Sequence, residues 1–292
     1  MEPEARKINI LPSFVLKVVA LLTMALDHIG FMMLEYSVAT QVADIFRIIG
    51  RLALPLFAFC IAEGVIHTRS FGKYIFRMGI IGTLVLIAQI VMKYGMNFEI
   101  YQGNIFIDLI LGALAVKALM DKRVWIKVLA IFPLLIGIAS FFMFAMDRTY
   151  TFTQFFPYYL RTQYDFFAIA LIIGFYLSYP LAKSMLKIIG LQPDLYQGTN
   201  IERMTINCFS VAFLIIIATL YWGIGFFLMS NNTPFEVYWN IDAQNYCMIA
   251  GAFILLYSGK RGYNASWFQY GSYVFYPLHL VLIYLVFYII FM

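Results

Sequence analysis

The chain has 292 residues, 63% of them hydrophobic and 12% charged, with a formal net charge of +5. An ordinary soluble domain carries about 25% charged residues, so a soluble core cannot hide this much apolar surface and lipid must cover the excess. Apolar runs near or above the roughly 20 residues that cross a bilayer follow one another from residue 13 to the end, which excludes a soluble domain of any size.

The first 14 residues, MEPEARKINILPSF, mix charges of both signs. The apolar run after them is too long for a signal peptide and lacks a small-residue cleavage site, so it is read as the first membrane helix. Polar interruptions then divide the chain into predicted spans near 13–36, 43–67, 74–93, 104–120, 124–146, 164–190, 205–229, 243–259 and 271–292. The expected fold is a single all-α membrane domain over 1–292, a polytopic bundle of about nine transmembrane helices.

Basic residues orient it. Arg6, Lys7 and Lys17 precede or open the first span; Arg69, Lys73 and Arg77 follow the second; Lys117, Lys122, Arg123 and Lys127 surround the fourth connection; Lys183, Lys187 and Arg203 the sixth; Lys260 and Arg261 the eighth. These are alternate connections, so they share one side, and the positive-inside rule makes that side cytoplasmic: N-inside, C-outside. Only Lys93, Arg148 and Arg161 fall on the other side. The charge excess is thus topological, and no nucleic-acid partner is expected. The aromatic outer connection near 147–163 reads either as an interfacial belt or as a lid over an externally open site. Cys60, Cys208 and Cys247 form no CxxC pair and read as packing residues. No internal repeat of the transporter kind is visible.

Ionisable groups at membrane depth are costly and mark function. The first two spans hold Lys17, Asp27 and His28, then Arg47, Arg51, Glu63 and His67. With the outer turn near residue 40 and a rise of about 1.5 Å per residue, Asp27 and His28 come level with Arg51 near the midplane. Lys17 comes level with Glu63 nearer the cytoplasmic face. Opposite charges at equal depth serve either as fasteners between helices or, for the adjacent acid and imidazole, as a tuned base. His279, in YPLH, reaches the same depth from the last span. The three histidines show no paired ligand spacing, so no metal is expected. Lys73 and Arg77 share a helix face one turn after Arg69. With Lys260 and Arg261 they form either topological anchors or a basic mouth for a phosphate-bearing cosubstrate. No Walker or GxGxxG loop is present.

Four stretches, LKVVALLTMALDHIG (16–30), RIIGRLALPLFAFCIAEGVIHTRSFGKYIFR (47–77), FILLYSGKRG (253–262) and SYVFYPLHLVLIYL (272–285), together resemble the TraX family, in its order and with similar spacing. The family's Asp-His pair falls on Asp27 and His28, its GR–A–P–F–F stretch on Arg51 to Phe59, its EG–HTR run on Glu63 to Arg69, and its YPLH on Tyr276 to His279. TraX-type proteins are linked to N-terminal acetylation of pilin and are grouped with transmembrane acyltransferases. The type-three enzymes of that group have a basic residue and a histidine eleven positions apart on the first helix, here Lys17 and His28.

The resemblance implies a multi-pass acyltransferase of the bacterial cytoplasmic membrane that takes acetyl-CoA, or another acyl-CoA, as cosubstrate. Its phosphates would lie near Arg69, Lys73, Arg77, Lys260 and Arg261. His28, oriented by Asp27, would act as base or as acyl carrier, with Arg51 or His279 stabilising the oxyanion. The acceptor would be an amine or hydroxyl of a peptide, glycan or lipid. Two other readings fit the same residues: a proton-coupled transporter using the Asp27–His28–Arg51 cluster, and a non-catalytic membrane assembly factor for surface peptides or pili.

Overall fold

A computed structural model describes residues 10–95, 103–150, 156–230 and 244–291. Arg6, Lys7 and part of the aromatic connection lie outside the described residues. The helices are α1 (Ser13–Glu35), α2 (Thr40–Gly50), α3 (Ala53–His67), α4 (Phe71–Gly95), α5 (Ile105–Leu119), α6 (Val124–Val128), α7 (Ile131–Tyr150), α8 (Asp165–Ile188), α9 (Asn200–Ser230), α10 (Ala250–Leu255) and α11 (Ser266–Phe291). Among the described residues, seven stretches are long and apolar enough to cross a membrane: Ser13–Glu35, Thr40–His67, Phe71–Gly95, Val124–Phe144, Tyr158–Ile188, Asn200–Phe227 and Trp267–Phe291. The other two expected spans are shorter helical segments. α5 has 15 residues, about 22 Å at the helical rise. The stretch near 243–259 is a 3₁₀ turn, Asn245–Ile249, running into the six-residue α10.

Prolines explain where two spans break. Pro55 lacks an N–H for the carbonyl of Arg51 and its ring presses on that group, and the second span divides at Arg51–Leu52 into α2 and α3. Pro133 stands in the same relation to Leu129, where α6 gives way to α7.

α8 runs through the centre of the bundle. Phe167, Ala168, Ile169, Leu171 and Ile172 on it are fully buried, and it packs against α3, α5, α7 and α9. α11 is held mainly by α1 and α4, and its outer face is a run of exposed apolar residues including Leu278, Val281, Leu282 and Leu285. Such a face belongs in lipid. The residues before α1 are clamped to the chain ahead of α11: Ser258 N donates to Leu11 O at 2.8 Å, Ser13 N to Lys260 O at 2.8 Å and Phe14 N to Arg261 O at 3.1 Å.

A buried polar network fastens α3, α8, α9 and the end of α10. Arg203 Nη2 donates to Glu63 Oε1 at 2.8 Å, Tyr257 OH donates to Glu63 Oε2 at 3.1 Å, and Tyr179 OH donates to Glu63 Oε1. Arg203 Nε reaches Asn207 Oδ1 at 3.0 Å, and its guanidinium lies 4.7 Å over the Tyr257 ring. Both charges are therefore paired and hydrogen-bonded, the condition for keeping ions out of water. This corrects the expected partner of Glu63: Arg203 from α9 reaches the carboxylate, while the Lys17 side chain is exposed. The reason is rotational, since equal depth does not make two side chains face each other.

α1 and α2 approach closely at glycines. A Cβ on Gly30 would lie 2.8 Å from Ala43 O, and one on Gly50 would run into the side chain of Asp27 from its Cβ outward. Gly50→Ala should therefore part the two helices and cost about 1–3 kcal/mol, as overpacking does. Gly79→Ala, with nothing within 4 Å, should leave stability near wild type. Thermal unfolding in detergent compares the two.

Candidate active site

Asp27 and His28 are neighbours on α1, so their side chains leave the helix about 100° apart at 3.6 residues per turn. Asp27 turns toward α2 and His28 toward α11. Arg47 and Arg51, four residues apart, share the face of the α2 segment that meets Asp27. Arg47 Nη1 donates to Asp27 Oδ2 at 2.7 Å and Arg51 Nη2 to Oδ1 at 2.9 Å. Arg47 Nη1 also lies 3.4 Å from the Asp27 backbone oxygen. Arg51 Nε donates to Arg47 O at 3.2 Å and Nη1 to Gln244 Oε1 at 3.3 Å. One carboxylate thus holds two guanidinium groups, and the local balance is one positive charge.

On the other side of α1, His28 Nδ1 and His279 Nε2 are 3.0 Å apart. His279 Nδ1 lies 2.8 Å from Phe275 O, and the Phe275 ring stacks on the His279 ring at 5.0 Å. A carbonyl only accepts, so His279 carries its proton on Nδ1, and its Nε2 in the neutral ring is an acceptor. His28 Nδ1 must then be the donor of the bond between the rings. The His28 ring also bonds the Met24 backbone one turn back, the i−4 contact that His67 and His279 make through Nδ1; with Nδ1–H shared between that carbonyl and His279, Nε2 keeps its lone pair. The orienting partner of His28 is accordingly His279 and not Asp27, which is fully engaged by arginines. Both ring nitrogens of His279 are occupied, so it has no N–H left for an oxyanion. Arg47 and Arg51 stand within electrostatic reach of the His28 ring. Tyr164 and Tyr276 stand within reach of Asp27.

A second feature lies at the far end of the bundle. Thr68, Arg69, Ser70, Lys73, Arg77 and Arg261 line an open cleft of about 490 Å³. Lys117 Nζ lies 5.7 Å over the Phe71 ring beside it. Four of the five expected phosphate ligands meet here; Lys260 is exposed and lies outside the lining. His67 stands at this end too, half exposed, with Nδ1 donating to Glu63 O at 2.9 Å. Ser13, bonded to Lys260 and Arg261, marks the cleft's level on α1. From there to His28 is fifteen residues, roughly 22 Å at the helical rise.

A family model described as TraX protein matches residues 13–287. The chain belongs to the TraX family. It is also similar to the probable fimbrial assembly protein FimC, serogroup H1, of Dichelobacter nodosus, at 30% identity over 130 residues, an alignment that covers 42% of this chain and 52% of that protein. The chain thus spans about half the length of that curated relative. No solved structure matches.

The stretches that carry the TraX resemblance converge on the two features just described: 16–30, 47–77 and 272–285 supply Asp27, His28, Arg47, Arg51 and His279, while 47–77 and 253–262 supply the basic cleft. Three polar residues were not singled out from the sequence. Arg203 was read as a topological charge, Gln244 sits at the edge of a weak span, and Asp108, fully buried, accepts the backbone N–H of Gln163 at 2.6 Å and of Tyr164 at 2.9 Å. The rule that a buried acid needs a donor at its own depth demands a partner for Glu63 but does not choose between Lys17 and Arg203; the packing of α9 does. Arg161, assigned to an outer connection, is 2% exposed, with Nε donating to Phe156 O at 2.9 Å and its guanidinium 4.6 Å over Tyr158.

Removing the Asp27 charge leaves Arg47 and Arg51 facing each other with no counterion. Asp27→Asn should destabilise the protein by about 3–5 kcal/mol, the cost of breaking a buried pair from one side. Lys17→Ala should change little. Thermal unfolding of the two purified variants checks the contrast, and equal melting would remove the ion pair from its structural role.

Proposed function

We propose that this TraX-family protein is an acyl-CoA-dependent acyltransferase of the bacterial cytoplasmic membrane, with nine spans, N-terminus inside. The observation that carries this reading is the Phe275–His279–His28 chain, which leaves His28 Nε2 as a free base beside two arginines. The acyl-CoA enters with its phosphates in the cleft of Arg69, Lys73, Arg77 and Arg261, and its pantetheine arm runs toward His28. The acceptor amine or hydroxyl, on a peptide, glycan or lipid, adds to the thioester carbonyl carbon while His28 Nε2 takes its proton. The C–S bond then breaks, and His28 returns the proton to the CoA thiolate. By accepting the His28 Nδ1–H at its own Nε2, His279 holds the His28 ring in one tautomer and steadies the imidazolium in between.

A second reading, a non-catalytic assembly factor for pili, is supported by the printed name of the fimbrial assembly relative. Release of free CoA separates the two. Purified protein given acetyl-CoA and a peptide amine should liberate CoA, and His28→Ala should lower the rate about 10²–10⁴-fold, the usual worth of a general base. Arg77→Ala and Arg261→Ala should raise KM for acetyl-CoA severalfold with little change in kcat, because phosphate contacts are equal in ground and transition states. A wild-type protein that releases no CoA with amine or hydroxyl acceptors favours the assembly role.

Orientation has its own test. In a Cys208→Ser background, an impermeant thiol reagent outside the cell should label a cysteine replacing the exposed Gln41 and spare one replacing the exposed Lys260. The opposite pattern would place the basic cleft, and CoA entry, outside.

A further inference from the structure

Gln244 is 7% exposed, and the two ends of its amide meet different surroundings. Its Oε1 accepts from Arg51 Nη1 at 3.3 Å. An arginine can only donate, so the orientation of the amide is forced and Nε2 must be the other end. That Nε2 is buried and has no hydrogen-bond partner among the described residues. A buried donor left unpaired costs about 1–3 kcal/mol, so each one calls for an explanation, a catalytic role among them. The partner that aims it is also incompletely used. Arg51 spends Nε on Arg47 O, one Nη1 proton on Gln244 and one Nη2 proton on Asp27, which leaves two of its five N–H groups.

We propose that Gln244 Nε2 and the remaining N–H groups of Arg51 form the oxyanion pocket for the acyl thioester. The inference rests on the acyl-transfer reading above. When the acceptor's lone pair adds to the carbonyl carbon, the C=O π pair moves onto oxygen, and these donors receive that charge. The pair returns as the C–S bond breaks, so Gln244 stabilises charge without exchanging a proton. A neutral amide beside a guanidinium suits this task, because it donates without competing with Asp27 for Arg51. Preorganised donors of this kind act where charge develops. Arg51 holds Asp27, the chain neighbour of His28, at 2.9 Å, so base and pocket meet at one turn of α1 and can address one carbonyl.

The test measures kcat, KM for acetyl-CoA and melting temperature for wild type, Gln244→Leu, Gln244→Glu and His28→Ala. Gln244→Leu should lose about 10²–10³-fold in kcat with KM little changed. Its melting temperature should stay near that of wild type, since loss of the unpaired Nε2 offsets the acceptor that Arg51 Nη1 loses; a purely structural glutamine would show a lowered melting temperature and near-normal kcat. Gln244→Glu keeps an oxygen for Arg51 and lacks the donor, so it should lose kcat to at least the same extent even if the leucine variant folds poorly. Wild-type kcat in either folded variant, with His28→Ala inactive, overturns the oxyanion assignment alone. A wild-type enzyme without CoA release, or an active His28→Ala, overturns the acyl-transfer reading and this proposal with it.

Discussion

One carboxylate and two guanidinium groups, Asp27 with Arg47 and Arg51, set the terms for the half of this bundle that holds the two histidines. Charges surrounded by protein and lipid are tolerated only when partnered at close range, and here the partners sit on different helices. The pairing demands that α1 and α2 touch, and the glycines at 30 and 50 allow it. It also demands that the span containing Arg51 break where it does. Pro55 frees the Arg51 carbonyl, the chain turns, and the side chain is delivered to Asp27 on one side and Gln244 on the other. Because Asp27 is consumed in this role, the imidazole beside it takes its orientation from elsewhere.

That orientation comes from α11, the most lightly covered of the long helices. His279 is nonetheless 5% exposed, shielded by Phe275 stacked on its ring and by Tyr276 edge-on at 5.7 Å. Pro277 lies between these residues and interrupts the ladder of α11 at Tyr273. The candidate base is thus assembled across a seam between a firmly packed helix and a lipid-facing one. Such a seam is a natural place for an acceptor that arrives from the membrane. The basic cleft is built differently, from the end of α3, the start of α4 and a glycine-bearing turn before α11.

The basic cleft and the His28 site are separate in this arrangement, joined by some four turns of α1. A cosubstrate with a charged head and a long neutral arm suits that separation, since the charge stays at the polar end while the reactive group enters the low-dielectric interior. There, donors such as Arg51 and Gln244 act with little competition from water.

Depth along the membrane normal was legible in the sequence. A helix advances about 1.5 Å per residue, so counting from the turn near residue 40 brings Asp27 level with Arg51, and counting from the start of the last span brings His279 to the depth of His28. Hydropathy and alternate basic connections gave the helical, multi-pass character, and Arg69, Lys73, Arg77 and Arg261 were recognisable as one basic group. Rotation about each helix axis and the order of neighbours were not legible, because both are settled by packing among helices far apart in sequence. Lys17 and Glu63 share a depth yet do not face each other, and Arg203 of α9 takes the carboxylate. His28 looks to His279, 251 residues away, rather than to the aspartate beside it, since adjacent residues on a helix point about 100° apart. Gln244 entered the site for the same reason: only the folded chain shows which buried amide an arginine can reach.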